Sequence, residues 1–426
     1  MKAYSEMSMP ELDREYEKEK AAYEKFKAKG MNLNMARGKP GAAQLDLVMD
    51  MLTNLQTPED CMDGNIDARN YGTPMGLPCA RTFWAELLGV KYDQVFAAGS
   101  SSLTLMYDII SKAYTHGLLH SEKPWCKLEK VKFLCPSPGY DRHFRICATF
   151  GMEMIYVPLN EDGPDMNAVE ELIEDESVKG IWCVPKYANP AGIAFSDAIV
   201  RRMAAMKPAA KDFIIMWDNA YCVHEFEGGF VPFEDILSLC AKSGNLDMVV
   251  EFASTSKITL PGAGIAAMAM SKANMDYMVN LIDVQSISYD KMNQLRHVRY
   301  LKNKAGVLEL MKKHAKVLKP KFDTVLDAFE REIKPLGFGS WNRPKGGYFI
   351  CLYTMEGTAK RALKLCEEAG IVMTPAGAAF PYGKDPHDSN IRVAPTLPSL
   401  EELKAAVEGL CICLKLAALE KLTQKA

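Results

Sequence analysis

Short apolar runs alternate with longer amphipathic stretches over residues 70–285, and within each run the apolar residues are consecutive rather than at every second position. Strands that are apolar on both faces are typical of a central sheet that helices cover on two sides. Strands that alternate with helices form mostly parallel sheets. We therefore predict an α/β fold with a mostly parallel central sheet. The predicted strands lie at residues 95–98, 131–135, 154–158, 180–184, 213–217, 248–253 and 265–270.

The N-terminal region shows helical periodicity instead. Residues 8–30 predict a helix, because Ser8 and Glu11 fit a capping box at its start and Gly30 is a typical residue to end it. Its narrow apolar stripe needs another element to pack on. A second helix is predicted around residues 46–55.

The last third of the chain has a different pattern. Residues 290–334 predict long, charged amphipathic helix, in which the many lysines form a solvated face. Strands at 347–353 and 371–374 and a last helix from Ser399 then predict a smaller α+β domain. The predicted division is an N-terminal segment that packs with the small domain over 1–59, a large domain over 60–290 and a small C-terminal domain over 291–426.

Composition excludes several classes of protein. Of 426 residues, 48% are hydrophobic and 25% are charged, which argues against a disordered, collagenous or membrane-spanning chain. The net charge of −3 provides no overall attraction for nucleic acid or anionic lipid. Twelve cysteines without short paired spacing predict free thiols in a reducing cytoplasm, and the seven histidines show no metal-binding spacing. The N-terminus lacks the apolar core of a signal peptide.

Four clusters of polar residues follow predicted strands, and open α/β sheets bind ligands at the carboxyl ends of their strands. Each cluster alone has an ordinary structural explanation: helix capping for the serines and the aspartate, a turn for Asn-Pro-Ala-Gly, and an exposed loop for the lysine. Each also suits a functional role. A desolvated lysine can form a Schiff base, a carboxylate can hold a protonated ring nitrogen, and serines at a helix N-terminus can bind phosphate. The clusters are Ser100–Ser102, Asn189–Gly192, Asp218–Tyr221 and Ser254–Lys257.

Together, and in this order, the clusters resemble the class I aminotransferases, a family of pyridoxal-phosphate enzymes of fold type I. Within that family the chain is most similar to the bacterial aspartate aminotransferases of type Ic. The resemblance runs from about Arg37 to the C-terminus. It is carried by Asn-Pro-x-Gly at 189–192, Asp-x-x-Tyr at 218–221, Ser-x-Ser-Lys at 254–257, Ile-Arg-Val at 391–393, Pro-Gly-Tyr at 138–140 and an early segment at 71–76.

The resemblance implies a role for each matched residue around the cofactor ring. Lys257 would join the cofactor aldehyde, and Asp218 would keep the pyridine nitrogen protonated. Tyr221 and Asn189 would hydrogen-bond the ring oxygen, and Tyr140 would stack on the ring.

Further residues are implied for the phosphate and the substrate. The phosphate would be held by Ser100, Ser101, Ser102 and Ser254, and by Tyr71 across a dimer interface. Arg392 would bind the substrate α-carboxylate at two points, with Asn189 and Gly38 beside the substrate.

Two questions stay open at this stage. Many family members use an arginine after the Schiff-base lysine to bind phosphate, but the stretch from Lys257 to Gly264 contains none, and Lys39 and Arg69 are candidate substitutes. A dicarboxylate substrate also needs a second cation. The candidates are Arg37, Lys39, Arg142, Arg145, Lys186 and Arg296.

The resemblance implies a cytoplasmic, homodimeric aminotransferase that converts amino acids and 2-oxo acids by a ping-pong mechanism, with aspartate and 2-oxoglutarate as the expected pair. One alternative is another pyridoxal-phosphate reaction, such as broad-specificity transamination, β-elimination, decarboxylation or racemisation. A second is a non-catalytic regulator, for which the segment before Arg37 is too short to hold a DNA-binding unit. Neither metal, membrane nor nucleic acid is expected.

Overall fold

The computed structural model describes residues 2–227 and 229–425. The α-helices are α1 (Met9–Lys27), α2 (Ala42–Leu45), α3 (Pro78–Leu88), α4 (Ser102–Thr115), α5 (Asp141–Thr149), α6 (Met166–Leu172), α7 (Asp197–Ala204), α8 (Ile236–Lys242), α9 (Lys272–Asp283), α10 (Lys291–Leu301), α11 (Lys304–Glu332), α12 (Ala359–Glu368) and α13 (Leu400–Thr423). The strands are β1 (Leu33–Asn34), β2 (Met62–Asp63), β3 (Ile66–Asp67), β4 (Val95–Ala98), β5 (Lys132–Ser137), β6 (Glu153–Asn160), β7 (Gly163–Pro164), β8 (Val178–Cys183), β9 (Ile214–Asp218), β10 (Val249–Ser254), β11 (Ala266–Ala269), β12 (Ser340–Trp341), β13 (Ile350–Tyr353), β14 (Ile371–Val372) and β15 (Asn390–Val393).

A mixed, mostly parallel sheet forms the centre of the molecule, in the order β4-β11-β10-β9-β8-β5-β6-β7. The five strands from β10 to β6 run parallel, whereas β11 is antiparallel to both of its neighbours. Separate apolar clusters pack on the two faces of the sheet. This arrangement confirms the predicted α/β fold, and each predicted strand of the sheet is present within about two residues of its predicted bounds.

The N-terminal helix packs on the C-terminal helix. Residues of α1, including Leu12 and Phe26, share an apolar cluster with α12, α13 and the small sheet formed by β12, β13 and β15. The predicted capping box is present, because Ser8 and Glu11 hydrogen-bond each other at the start of α1. The division into domains at residues 59 and 290 stays a prediction.

Two helix predictions need correction. The helix predicted at 46–55 is the single α-helical turn α2 followed by a 3-10 helix over Asp46–Thr53. Val48 and Met51 are both fully buried there, and their spacing of three matches the three residues per turn of a 3-10 helix. The helix predicted over 290–334 is two helices, because Lys302 adopts a φ of 65° and Asn303 caps the start of α11.

None of the helices within the described residues combines the length and the apolar character that crossing a membrane requires.

Candidate active site

A cavity of about 960 Å³ opens at the carboxyl ends of the central parallel strands. It contains every predicted site residue except Ser100 and Tyr71, which are both exposed, Tyr71 by 81%. A second cavity, of about 330 Å³, lies at the opposite edge of the sheet beside Asp212 and contains none of them. The predicted site residues that line the large cavity are Gly38, Ser101, Ser102, Tyr140, Asn189, Asp218, Tyr221, Ser254, Lys257 and Arg392.

Asp218 is the last residue of β9, and its side chain lines the cavity. It does not cap a helix, which was the ordinary structural explanation for this residue. Its Oδ2 accepts a hydrogen bond from His143 Nε2 at 3.1 Å, and His143 stacks on Trp182 at 4.3 Å between ring centroids. The other oxygen, Oδ1, is buried and has no hydrogen-bond partner among the described residues. A buried carboxylate oxygen with a vacant lone pair fits the protonated ring nitrogen that the sequence predicts for it.

Lys257 lies three residues beyond the end of β10 and is partly buried. Burial lowers the pKa of its amine, and the charge of Asp218 opposes that shift. The lysine is therefore not the exposed loop residue of the ordinary structural explanation. A lowered pKa leaves more of the amine unprotonated near neutral pH, which is the form that reacts with an aldehyde.

The backbone around Lys257 is held from behind by side chains of distant segments. The Lys257 carbonyl accepts hydrogen bonds from His224 Nε2 at 3.3 Å and from the Tyr348 hydroxyl at 3.4 Å. The Ile258 carbonyl accepts one from His314 Nε2 at 3.0 Å. Burial lowers the pKa of His224 to about 3 and that of His314 to about 4, so both imidazoles are neutral at pH 7.

Gln44 connects these groups. Its amide nitrogen donates to His314 Nδ1 and to the Tyr348 hydroxyl, both at 2.9 Å, and its amide oxygen accepts from the Gly41 backbone at 3.3 Å. We call Gln44, His314 and Tyr348 the support network. All three are almost completely buried. Because His314 accepts at Nδ1, its proton is on Nε2, which is the atom that donates to Ile258.

Two tyrosines of the cavity keep their protons. Burial raises the pKa of Tyr221 well above its usual value and that of Tyr140 to about 12. The Tyr221 ring stacks on Tyr348 at 5.8 Å, so the support network also contacts the side of the cavity. At neutral pH both hydroxyls can donate a hydrogen bond to a ligand oxygen.

Four serines line the cavity, and two of them, Ser101 and Ser102, lie at the N-terminus of α4. Ser101 Oγ caps α4 by accepting a hydrogen bond from the Leu103 backbone N–H at 3.2 Å. Ser101 therefore has the ordinary capping role and also lines the cavity. Ser254 Oγ donates to Ser256 Oγ at 3.0 Å. Hydroxyl groups beside the positive end of a helix dipole suit a phosphate. Lys39 also lines the cavity, whereas Arg69 does not and is paired with Asp67 at 2.6 Å.

Gly38 is needed because the Phe349 ring lies against it. A Cβ at this position would come within 2.5 Å of Phe349 Cζ. Phe349 also lies under Arg392, with the guanidinium carbon 5.0 Å from the ring centroid. The glycine therefore lets the N-terminal segment approach the Arg392 side of the cavity.

Arg392 projects from β15 and is held from several directions. Its Nε and Nη2 donate to Thr374 Oγ1 at 3.2 and 3.0 Å, and Nη2 also reaches the Ala36 carbonyl at 3.4 Å. Its Nη1 donates to Asp141 Oδ1 at 3.1 Å and to Asn189 Oδ1 at 3.3 Å. The guanidinium is thus fixed in orientation before any ligand binds.

The six candidates for a second cation fall into two groups. Lys186 is buried and pairs with Glu225 at 2.5 Å, and Arg296 is not part of the cavity lining. The others line the cavity; Arg142 is half-buried and the rest are exposed. These four are Arg37, Lys39, Arg142 and Arg145.

Sequence reasoning missed several residues that complete the site. His143 lies one helical turn after Tyr140, and this spacing is a signal that both side chains could face the same ligand. Asp141 directly follows Tyr140 in the sequence, which made it a further candidate for the same cavity. Gln44 and His314 offered none, because their contacts with each other span 270 residues of sequence. Within the described residues, no group of three or more potential ligands is arranged to hold a metal ion.

Comparison with known proteins gives concordant matches. The chain matches the family model for aspartate amino-transferase over residues 7–426. An aspartate aminotransferase of Corynebacterium glutamicum is 43% identical over 421 residues, which cover 98% of each chain. The crystal structure of an aspartate transaminase from that species has a TM-score of 0.96 and 42% identity, and covers 98% of this chain and 99% of its own.

A more distant solved structure shows the fold alone. It is an α-aminoadipate aminotransferase of Thermus thermophilus, crystallised with N-(5'-phosphopyridoxyl)-L-leucine. Its TM-score is 0.74 at 22% identity, and the match covers 92% of this chain and 93% of that chain. The same α/β architecture therefore extends to relatives with little sequence in common.

Proposed function

The chain belongs to the aspartate aminotransferase family and is an aminotransferase, and on this premise we propose that it uses pyridoxal phosphate to exchange the amino group of aspartate with 2-oxoglutarate. The cofactor proposal is supported by the unpartnered Oδ1 of Asp218, which fits a protonated pyridine nitrogen. It is also supported by the serines at the start of α4, which fit a phosphate.

Bound pyridoxal phosphate supplies an aldehyde for the Lys257 amine and a ring that withdraws electrons from the substrate Cα. We propose that Asp218 keeps the ring nitrogen protonated and that His143 holds the Asp218 carboxylate in place. Tyr221 and Asn189 would donate to the ring oxygen, and Tyr140 would lie against the ring. Ser101, Ser102 and Ser254 would hold the phosphate, with Lys39 as a candidate cation from the same cavity.

Lys257 has a second proposed task once substrate has displaced it. When pyridoxal phosphate is bound, the free Lys257 amine would accept the proton from the substrate Cα and would return it to the reacting cofactor carbon. The lowered pKa of Lys257 favours this task, because a general base must be unprotonated before it can act. The support network favours it as well, since it holds the backbone from which the amine reaches.

The charge of the cavity carries the substrate proposal. Apart from Lys257, five basic side chains line it against two carboxylates, in a chain whose net charge is −3. A cavity with surplus positive charge concentrates anions, which here are the cofactor phosphate and a dicarboxylate. The basic residues are Arg37, Lys39, Arg142, Arg145 and Arg392, and the carboxylates are Asp141 and Asp218.

We propose that Arg392 binds the α-carboxylate and that Arg142 binds the distal carboxylate. Arg142 is the half-buried member of the four candidate cations, and no carboxylate within the described residues pairs with it. A partly desolvated guanidinium attracts a carboxylate more strongly than an exposed one. The relative from Corynebacterium glutamicum that is named an aspartate aminotransferase supports the same substrate class.

Product analysis tests the proposal. The enzyme with cofactor, incubated with aspartate and 2-oxoglutarate, is expected to form glutamate and oxaloacetate in equal amounts, and Lys257→Ala is expected to form neither. Pyruvate and ammonia would instead identify a lyase. A panel of amino donors is expected to rank aspartate above alanine and phenylalanine, and the reverse order would contradict the substrate proposal.

We also propose a homodimer in which Tyr71 reaches the phosphate of the partner site. The support is that Tyr71 lies outside the cavity of its own chain and, at 81%, is the most exposed tyrosine among the described residues, so its ring is available to a second chain. Sedimentation of the holoenzyme is expected to give twice the chain mass of 47.4 kDa. We further propose that the protein is cytoplasmic and that its domains divide at residues 59 and 290.

A further inference from the structure

Asp141 Oδ1 accepts a hydrogen bond at 3.1 Å from Nη1 of Arg392, the side chain that we propose binds the substrate α-carboxylate. We propose that Asp141 is a resident carboxylate that substrate must displace from Arg392, and that this exchange sets the affinity of the site for carboxylate ligands. The proposal rests on the proposed role of Arg392 in binding the α-carboxylate. It adds a residue that determines affinity to the residues that bind substrate and cofactor.

The hydrogen bonds of Arg392 show why an exchange is required. A guanidinium has five N–H donors. In the structure, Nε has one acceptor within 3.4 Å, and Nη1 and Nη2 have two each. Asp141 is the only charged acceptor among the described residues that contact this guanidinium. An incoming carboxylate therefore meets an arginine whose donors are already engaged.

Two neutral hydrogen-bond partners of Arg392 keep their contacts with it during this exchange. Thr374 accepts from both Nε and Nη2, and the Ala36 carbonyl is part of the backbone beside β1. These contacts hold the plane of the guanidinium whichever carboxylate is present. The exchange consequently moves Asp141 and leaves the arginine in place.

Asp141 can leave at low cost because of where it lies. Its side chain is 27% exposed and faces the large cavity, whereas the Arg392 side chain is only 11% exposed. Asp141 also begins α5, where the helix dipole stabilises a negative charge without help from Arg392. The buried cation depends on its partner more than the carboxylate does. Asp141 thus keeps Arg392 neutralised until a ligand brings its own carboxylate.

The exchange weakens the binding of carboxylate ligands. Arg392 gains one carboxylate partner and loses another when substrate binds, so the gain in binding free energy is smaller than for an arginine without a resident partner. Asp141→Asn keeps the size and the acceptor oxygen but removes the charge. It should therefore make carboxylate ligands bind more tightly, which distinguishes a competitor from a residue that helps to hold substrate.

The test measures binding of succinate, a dicarboxylate that cannot react, to the holoenzyme by calorimetry. We expect Asp141→Asn to lower the Kd about tenfold, which is about 1.4 kcal/mol, and to lower KM for aspartate by more than it changes kcat. The matched control is Asp165→Asn, which removes the same charge from the start of α6, away from the cavity, and should leave the Kd unchanged. An unchanged or higher Kd in a folded Asp141→Asn protein would overturn the proposal.

Arg392→Leu separates this proposal from the proposed function. If Arg392→Leu weakens succinate binding while Asp141→Asn does not strengthen it, only the role of Asp141 fails. If Arg392→Leu binds succinate as the parent enzyme does, the proposed role of Arg392 fails with it. In the Arg392→Leu background, Asp141→Asn is expected to have no effect, because there is no guanidinium left to compete for.

Discussion

Gln44, behind the Lys257 segment, and Asp218, on its cavity side, differ in how completely their polar atoms are paired, although His224 Nδ1 behind the segment also lacks a partner among the described residues. Behind it, the amide of Gln44 uses both donors and its acceptor on His314, Tyr348 and the Gly41 backbone. On the cavity side, Asp218 Oδ1 has no partner within the described part of the chain. Satisfied buried groups make a rigid support, whereas vacant ones cost free energy until a ligand binds them. The contrast indicates which contacts serve stability and which serve chemistry.

The largest expected effect comes from the cavity side, at Asp218. Asp218→Asn removes the charge that would balance a protonated ring nitrogen, and losing one partner of a buried charge pair costs about 3–5 kcal/mol. We expect kcat to fall by about two to four orders of magnitude. Steady-state kinetics with saturating cofactor measures this loss.

Asp212→Asn is the matched control for Asp218→Asn. Asp212 is also buried and charged, but it pairs with Lys179 at the other edge of the sheet. Its loss should lower the free energy of unfolding and leave kcat per folded molecule nearly unchanged. If both variants lost kcat equally, the contrast between the two sides would not hold.

The support network, through His314, should affect the pH dependence of the free energy of unfolding. The pKa of His314 is lowered from 6.5 to about 4 on folding. Between these values the unfolded chain binds a proton that the folded chain does not, so the free energy of unfolding falls as pH falls. This one group should cost about 3 kcal/mol between pH 7 and pH 4.

Denaturant unfolding at several pH values measures that cost. His314→Gln is expected to flatten the acid limb of the stability curve relative to the parent protein, even if it lowers stability at pH 7. Glu251, whose pKa is raised to about 8 by burial, works in the opposite direction and is unchanged in both proteins. Equal slopes in the two proteins would show that His314 is not a buried neutral imidazole.

A smaller loss is expected for Gln44→Ala. It leaves the Gly41 amide, His314 Nδ1 and the Tyr348 hydroxyl without their partner, at a cost of about 1–3 kcal/mol for each buried unsatisfied group that water cannot reach. The free energy of unfolding should fall by at least the cost of one such unsatisfied group. Gln56→Ala, an exposed glutamine, should change it by less than about 0.5 kcal/mol.

The parts of the fold that could be predicted are those with local causes. The strands of the central sheet contain runs of consecutive apolar residues, and the start of α1 carries its capping box within four residues. The break at Lys302 was missed because a single residue with positive φ interrupts a continuous amphipathic pattern. The 3-10 helix over Asp46–Thr53 was missed because its spacing of three resembles that of an α-helix over so short a stretch.

The candidate site divides in the same way. Residues directly after strands, such as Asp218 and Lys257, could be proposed because the topology of a parallel sheet brings strand ends together. The contact of Asp141 with Arg392 joins residues 251 positions apart, and no local pattern encodes it. Tyr71 could be proposed only from the family resemblance, and its role needs a second chain.

The smallest expected effect concerns specificity. Arg142→Gln should raise KM for aspartate about tenfold and leave the kinetics with alanine nearly unchanged, because alanine has no distal carboxylate. The ratio of kcat/KM for the two donors measures the effect. Arg145→Gln serves as the comparison on an exposed arginine of the same cavity, and a larger effect there would reassign the distal carboxylate.

The central claim is that Lys257 carries the cofactor. Hydride reduction of the holoenzyme makes a lysine–cofactor bond permanent, and mass spectrometry of the digested protein then locates it. We predict a phosphopyridoxyl group on the peptide that contains Lys257 and on no other. The same group on a different lysine, or its absence from enzyme that retains activity, would contradict the claim.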